Sequence, residues 1–169
     1  STVVLDPNHD RFIPAVTYPG LPAYPSGQTT GIVTLVPRSM PGYVWATGDF
    51  QPAAQEELVI YELLVRDFIE RHDYTTLIDT LDYLDELGVN AIELMPVNEF
   101  EGNISWGYNP SYHMALDKYY GPINEFKRFV DSCHARGIAV LLDVVYNHAF
   151  SQSPLAQLYW DQAAFRPRP

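Results

Sequence analysis

The sequence predicts an α/β fold in which strands and helices alternate along the chain. Three observations support this prediction: apolar runs of strand length, amphipathic helical patterns between them, and a glycine directly after each helical pattern. This order is typical of parallel strands joined by helical crossovers. The 169 residues have the length of one ordinary domain, and the 47% hydrophobic content is enough for a buried core.

The regular elements begin near residue 58. Residues 58–65 form a nearly continuous apolar run, which is expected of a strand covered on both faces. Residues 75–87 then place apolar side chains at three- and four-residue spacing, and Gly88 follows as a stop, so the pattern predicts an amphipathic helix. Its predicted inward positions are Leu77, Ile78, Leu81, Leu84 and Leu87.

A second unit and a third strand follow. Residues 89–95 predict a buried strand, and a long polar and aromatic loop continues to Pro122. A helix is predicted over residues 124–136 with Gly137 as its stop, and residues 138–145 predict the third strand. The inward positions predicted for this helix are Phe126, Phe129, Val130 and Cys133.

The first 55 residues have a different texture. They carry eight of the fourteen prolines and no helical periodicity, which indicates extended or irregular chain with one strand within residues 30–36. We interpret residues 1–55 as the end of an N-terminal β-domain or a linker. The prolines are Pro7, Pro14, Pro19, Pro22, Pro25, Pro37, Pro41 and Pro52.

Periodicity does not separate a barrel from a doubly wound sheet, but the loops favour a barrel. A dinucleotide fold needs a glycine-rich turn after its first strand, whereas residues 66–70 read RDFIE. The long aromatic loop and the polar end of the third strand suit the carboxyl face of a (β/α)8 TIM barrel. Such a barrel takes about 250 residues. We therefore interpret residues 56–169 as the first part of such a barrel, its first three βα units, in a truncated chain.

Charge and composition exclude several partners. The net charge of -11 repels phosphate backbones and anionic lipid surfaces, so we expect no nucleic-acid partner. No apolar run is long enough for membrane insertion. Cys133 is alone, so neither an internal disulfide nor a zinc pattern is predicted. The compartment stays open, since a secreted or periplasmic protein without its leader would look the same.

Two segments place polar and aromatic side chains at the predicted carboxyl face of the barrel. Asp143, Asn147 and His148 close the third strand, and residues 106–113 (WGYNPSYH) offer flat aromatic faces beside polar groups, which suits an uncharged ring. The alternative is structural: Asp143 would pair with a buried cation and the aromatics would fill space under a loop. We prefer that packing role for Tyr119 and Tyr120.

The sequence DVVYNH at residues 143–148 resembles the first signature region of the α-amylase family, glycoside hydrolase family 13. Four further segments agree with that family in order and spacing, so the resemblance covers about residues 58–154. These segments are YEL at 61–63, AIELMPV at 91–97, WGYNP at 106–110 and DKYYG at 117–121.

The resemblance implies a retaining enzyme that acts on α-linked glucans such as starch or glycogen. Such enzymes use a nucleophilic carboxylate and an acid/base carboxylate about 5 to 5.5 Å apart. In the family these groups, and a further Asp, follow later strands, which would lie beyond Pro169. The chain would then contain no catalytic residue, and the parent protein would be the enzyme while this portion alone would be inactive.

The resemblance also implies roles for residues that are present. His148 would hydrogen-bond a sugar hydroxyl, Tyr108 would stack under the ring, and Asp143 would organise the charged base of the pocket, with Trp106 beside them in the substrate-binding loop. Asn147 matches a position that ligates a structural calcium ion in many members, a role that an amide oxygen can fill.

Some residues depart from the family pattern or invite another role. Leu64 stands where many relatives have His, and Leu116 where Pro is common, which leaves product specificity open. The family gives no catalytic role to four carboxylates that could suggest an acid/base pair. They are Glu62, Glu93, Glu99 and Asp117.

Two other interpretations remain. A non-catalytic relative could keep the framework and serve as a glucan-binding or interaction module. Alternatively, the fragment is a self-sufficient domain whose open sheet edges self-associate. The sequence leaves open whether the parent protein is a hydrolase, a branching enzyme or a transglycosylase. It also leaves open whether the enzyme acts on α-1,4 or on α-1,6 bonds.

Overall fold

A computed structural model describes residues 2–38 and 42–167. Pro41 of the proline-rich stretch and the final Arg168-Pro169 lie outside these residues. The strands are β1 (Val3–Leu5), β2 (Val33–Leu35), β3 (Ile60–Leu63), β4 (Ala91–Leu94), β5 (Asn98–Phe100), β6 (Pro110–Leu116), β7 (Ala139–Leu142), β8 (Trp160–Asp161) and β9 (Arg166–Pro167). The α-helices are α1 (Val65–Phe68), α2 (Tyr74–Ile78), α3 (Leu81–Glu86), α4 (Ile123–His134) and α5 (Pro154–Leu158).

The centre of the molecule is a three-stranded parallel sheet in the order β3-β4-β7. Its register pairs Leu63 with Leu94 and Leu94 with Leu142, so the three strands end side by side. Each of these strands covers four residues within one of the three predicted apolar runs, and helices follow the first two. The alternating α/β order predicted from the sequence is confirmed.

Helices pack on one face of this sheet and form the core with it. Leu77, Leu81 and Leu84 are fully buried, as predicted, and so are Phe129 and Cys133 on α4. Tyr120 is buried and Tyr119 packs against the same core, which agrees with the packing role preferred for both tyrosines.

The predicted helix over residues 75–87 is divided into α2 and α3. Asp79 and Thr80 donate their backbone amides to residues three positions back, and the Thr80 hydroxyl donates to the Leu77 carbonyl at 2.7 Å. This tight turn interrupts the regular helix because a Thr side chain competes for backbone carbonyls. Leu87 was predicted to face inward and is 53% exposed, because it follows the last turn of α3.

The segment predicted as a long loop contains an antiparallel hairpin. Strands β5 and β6 pair with two register irregularities, and Phe100 lies opposite Pro110. An irregular ladder with Pro at a strand end has no regular two-residue alternation, which is why the sequence did not reveal it. The hairpin supports the loop that carries the aromatic motif.

The N-terminal segment contains an antiparallel pair, β1 with β2, and β2 falls inside the strand predicted over residues 30–36. Strand β1 lies beside β6, with a bridge between Thr2 and Ala115. None of the helices within residues 2–38 and 42–167 is long and apolar enough to span a bilayer.

Candidate functional site

The carboxyl ends of the central strands form a shared rim. The Asp143 amide donates to the Leu94 carbonyl at 2.9 Å, and the Met95 amide donates to Leu63 at 3.0 Å, so each ladder continues one residue past its strand. Because side chains alternate along a strand, Asp143 lies on the same face of the sheet as Glu93, which is the register partner of Glu62. This face is opposite to the one that packs on the helices.

Tyr108 connects the aromatic loop to this rim. Its hydroxyl donates to Asp143 Oδ2, and its carbonyl oxygen lies 2.8 Å from His148 Nε2. The hydrogen bond to Asp143 raises the pKa of Tyr108 to about 12, with Glu62 and Glu93 contributing through their charges. Tyr108 is 41% exposed, so its ring stays accessible while its hydroxyl is fixed. The phenol is therefore neutral and a donor at physiological pH.

His148 is held from two sides. With Nε2 protonated, its ring donates to the Tyr108 carbonyl, and its own carbonyl accepts from His113 Nε2 at 3.1 Å. These contacts join the end of β7 to β6, across 35 residues of sequence. The structure thus brings Tyr108, Asp143 and His148 into one hydrogen-bonded group.

Gly107 allows the loop to pass close to the rim. It has φ +91°, and a Cβ placed there would lie 2.3 Å from the carbonyl oxygen of Pro96. Any other residue would force the backbone away from Pro96 and would displace Tyr108 with it. The Gly107 amide donates to Ser105 Oγ at 2.9 Å, and Ser105 Oγ donates to Asn109 Oδ1, so the turn is also fixed by its neighbours.

Two predicted site residues lie outside the hydrogen-bonded group. Trp106 is 61% exposed and, among the described residues, stacks on no other ring. Asn147 is exposed and its side chain makes no hydrogen bond within the described chain. Likewise, no three His, Cys, Asp or Glu side chains in the described ranges come together as a metal site.

The carboxylates Glu99 and Asp117 belong to a separate buried cluster. Lys118 Nζ contacts Glu99 Oε1, and it lies 3.3 Å from Asp10 Oδ1 on the N-terminal segment. Asp117 accepts amide hydrogen bonds from Tyr119 at 2.8 Å and Phe100 at 3.1 Å. We call Asp10, Glu99, Asp117 and Lys118 the Lys118 cluster. The side chains of this cluster bind each other and backbone amides.

Burial dominates the titration of this cluster. It raises the pKa of Asp117 to about 6. Burial alone would lower the pKa of Lys118, but the carboxylates of Glu99, Asp117 and Asp10 together outweigh it and the pKa is raised, so Lys118 remains charged. Each charged side chain of the cluster therefore has a partner within the cluster or on the backbone, which is a structural role and not that of an acid/base pair exposed to substrate.

Three residues that shape the rim or the Lys118 cluster were not predicted from the sequence: Gly107, His113 and Lys118. Gly107 was readable in principle, since a Gly between two aromatics often marks a special backbone conformation. His113 lies within the quoted loop, but its contact with the His148 carbonyl depends on β6 and β7 coming together. Lys118 has no sequence signal, because its partners lie 19 and 108 positions away.

Comparison with known proteins gives this rim a context. Residues 48–161 match the family described as alpha amylase, catalytic domain. The chain belongs to the α-amylase family. The family resemblance of the five motifs is thereby confirmed, and the partial catalytic-domain fold agrees with it.

Individual relatives within the α-amylase family are glucan- or trehalose-related enzymes by name. The chain is 42% identical to malto-oligosyltrehalose trehalohydrolase of Saccharolobus solfataricus over 108 residues, 64% of this chain and 19% of the relative. It is 34% identical to the chloroplastic isoamylase SU1 of Zea mays over 176 residues, 88% of this chain and 22% of the relative. The chain therefore spans about a fifth of the length of the curated relatives it matches.

Two solved structures are similar to the chain. A Salmonella typhimurium protein provisionally assigned as an alpha amylase gives a TM-score of 0.69 at 31% identity, covering 79% of this chain and 23% of that protein. The pullulanase SAP of Group B Streptococcus, solved with maltotetraose, gives 0.52 at 32% identity, covering 54% and 16%. These similarities extend the family assignment to the fold.

Proposed function

We propose that this chain forms the first three βα units of the (β/α)8 barrel of a retaining α-glucan hydrolase and carries the sugar-binding wall of its active site. The observation that supports this most strongly is the hydrogen-bonded group of Tyr108, Asp143 and His148. It lies at the carboxyl ends of parallel strands, where barrel enzymes build their sites.

The wall suits a neutral pyranose ring. The exposed face of Tyr108 can stack against the apolar face of a sugar, and Trp106 extends the aromatic surface along the loop. His148 Nδ1 makes no hydrogen bond within the described residues, so it is free to accept one from a sugar hydroxyl while Nε2 holds the Tyr108 carbonyl. Asp143, with Glu62 and Glu93, makes the base of the site negative, which favours the positive charge that develops on the sugar in the transition state.

Within this proposal the nucleophile and the acid/base lie on strands that follow Pro169. A retaining pair needs two carboxyl groups about 5 to 5.5 Å apart with access to the glycosidic bond. Glu99 and Asp117 do not meet that need, because both are buried in the Lys118 cluster. This portion would bind and orient substrate, and the later strands would break the bond.

The structural calcium implied by the family resemblance has only one candidate ligand here. The side-chain oxygen of Asn147 has suitable chemistry, but calcium takes six to eight oxygen ligands. The described residues supply no further cluster. The site would need ligands from later in the protein, and we derive no catalytic step from it.

The test compares this chain with a longer protein that contains it and the remaining barrel strands, which we call the whole-barrel protein. Reducing ends released from soluble starch are measured with and without added calcium. We expect release by the whole-barrel protein, none by this chain, and loss in the Tyr108→Ala variant of the whole-barrel protein. If that longer protein binds starch without cleaving or transferring glucan, the chain belongs to a binding module and the catalytic proposal is wrong.

A further inference from the structure

A second aromatic cleft lies outside the rim just described. It has a volume of about 270 Å³ and is lined by Trp45, Thr47, Gly48, Phe50 and His134, which we call the Trp45 cleft. Its lining includes no charged Lys, Arg, Asp or Glu side chain. Trp45 is 44% exposed, so a large flat face is open to solvent.

The position of Trp45 is fixed by the α4 residue Asp131. The carboxylate accepts the backbone amides of Ala46 and Thr47, both at 2.9 Å, and the Tyr43 hydroxyl at 3.2 Å. The Ala46 amide contributes most to lowering the pKa of Asp131, so the carboxylate stays ionised and keeps these bonds at physiological pH. Tyr43 in turn meets the Trp45 ring edge-on, with centroids 4.9 Å apart. The backbone beside Trp45 is therefore anchored to α4, and the indole packs against Tyr43 on one edge.

A second part of the cleft lining is also planar. Phe50 stacks on His134 with centroids 4.0 Å apart and an interplanar angle of 6°. Burial lowers the pKa of His134 below its ordinary value of 6.5, so the imidazole is neutral at pH 7 with one donor and one acceptor. Within the described residues neither ring nitrogen has a hydrogen-bond partner. The cleft thus combines an aromatic face with an unused polar edge.

The Trp45 cleft lies at the opposite end of the sheet from the rim. His134 is the last residue of α4, and α4 leads into the start of β7, whereas Asp143 follows the end of β7. Four residues of strand separate the two ends by about 13 Å. A single sugar ring cannot occupy both places.

We propose that the Trp45 cleft is a non-catalytic binding site for one ring of a neutral α-glucan chain, separate from the active site. This inference rests on the proposed function, because it takes the same polymer as ligand. A flat indole and a neutral imidazole in the same cleft match the apolar face and the hydroxyl edge of a pyranose. The cleft is smaller than the roughly 300 to 1,000 Å³ of drug-sized sites, so it suits one ring of a longer chain. The net charge of -11 disfavours anionic ligands.

The experiment measures retardation of the whole-barrel protein in native gels that contain glycogen, together with hydrolysis of maltotetraose. Four forms are compared: wild type, Trp45→Ala, Trp45→Phe, and Val44→Ala. Val44 is the matched control, because it is the neighbouring residue, is 88% exposed, and lies outside the cleft. Retardation is also measured for Tyr108→Ala with and without Trp45→Ala, so that binding at the rim is removed.

We expect Trp45→Ala to weaken glycogen retention about threefold or more, in line with the loss of one stacking surface. Glycogen retention of Trp45→Phe should fall between that of Trp45→Ala and that of wild type, because Phe keeps a smaller flat ring. This variant also guards against a folding defect in Trp45→Ala. Val44→Ala should match wild type, and kcat/KM on maltotetraose should stay within about twofold of wild type in the three single variants at Trp45 and Val44.

Three outcomes would overturn the inference. Equal retention by Trp45→Ala and Val44→Ala would show that the cleft serves another partner or is covered by protein. A parallel loss on maltotetraose would make the cleft part of the active site or of the fold. If the wild-type protein cleaves maltotetraose but is not retarded by glycogen, an α-glucan chain is not the ligand of the cleft. If the wild type neither cleaves nor is retarded, the proposed function fails as well, which keeps the two failures distinguishable.

Discussion

The chain contains two groups of carboxylates that differ in burial and in what surrounds them. In the Lys118 cluster, Glu99 and Asp117 are 3% and 1% exposed and are bound by a lysine or by backbone amides. At the rim, Asp143 is only half-buried and its single side-chain partner within the described residues is a tyrosine that is itself accessible. The difference indicates that the first group stabilises the fold and the second is available to a ligand.

This contrast predicts the largest effect on stability for Lys118→Met. The change leaves the buried Glu99 and the half-buried Asp10 without their cation, which costs about 3 to 5 kcal/mol of the free energy of unfolding. Urea unfolding of the whole-barrel protein measures it.

The matched control is Arg128→Ala. Arg128 pairs with Glu125 on the surface of α4, where the side chains are 47% and 31% exposed, and such pairs contribute about 0.2 to 1 kcal/mol. Equal losses for Lys118→Met and Arg128→Ala would contradict the structural role of the Lys118 cluster.

A glycine pair tests whether the rim depends on close packing of its loop. Gly107→Ala should lower kcat/KM on starch about 100-fold, because the Cβ would displace Tyr108 by meeting Pro96. Gly102→Ala is the control: it also has a positive φ, +81°, but nothing lies within 4 Å of its Cβ. We expect that control to lose about 1 to 2 kcal/mol of stability and to keep its activity.

Tyr108→Phe separates stacking from hydrogen bonding at the rim. The ring remains while the bond to Asp143 is lost, so we expect kcat/KM on maltotetraose to fall about two- to tenfold. Tyr108→Ala should lose far more, since it removes the stacking face. A Phe variant as poor as the Ala variant would mean that the hydroxyl, not the ring face, carries the role of Tyr108.

The smallest predicted effect is on the pH dependence of stability. The pKa of Tyr108 rises from an ordinary 10.0 to about 12, so the folded protein holds this proton more tightly than the unfolded chain. The resulting stabilisation is fully present below pH 10 and is lost as the pH rises toward 12. Thermal melts at pH 8 and pH 11 should show the difference in Tm between wild type and Tyr108→Phe shrinking at the higher pH. A constant difference would contradict the coupling to Asp143.

The sequence predicted the central α/β order well, because buried strands and amphipathic helices have strong periodicities. It also singled out Tyr108, Asp143 and His148, which the structure brings together, although their roles toward a sugar stay predictions. The divided helix at Thr80 and the irregular hairpin before Leu116 were not predictable, since one depends on a side-chain hydrogen bond and the other has no regular alternation.

The partners of the carboxylates were harder to predict than the helices and strands. Asp117 and Asp143 both follow an apolar segment, and nothing local tells a buried carboxylate from an accessible one. Only the tertiary structure brings Asp10 and Lys118 together across 108 positions. The Trp45 cleft depends in the same way on Asp131, which holds residues 84 and 85 positions earlier.

The proposed role of the rim is tested by kcat/KM on maltotetraose for Asp143→Asn in the whole-barrel protein. The amide keeps the shape and an acceptor oxygen for Tyr108 but removes the negative charge from the base of the site. We predict a loss of about 100-fold or more with the Tm nearly unchanged, because in the proposed function the charge acts on the transition state and not on the fold. Activity within twofold of wild type would contradict it.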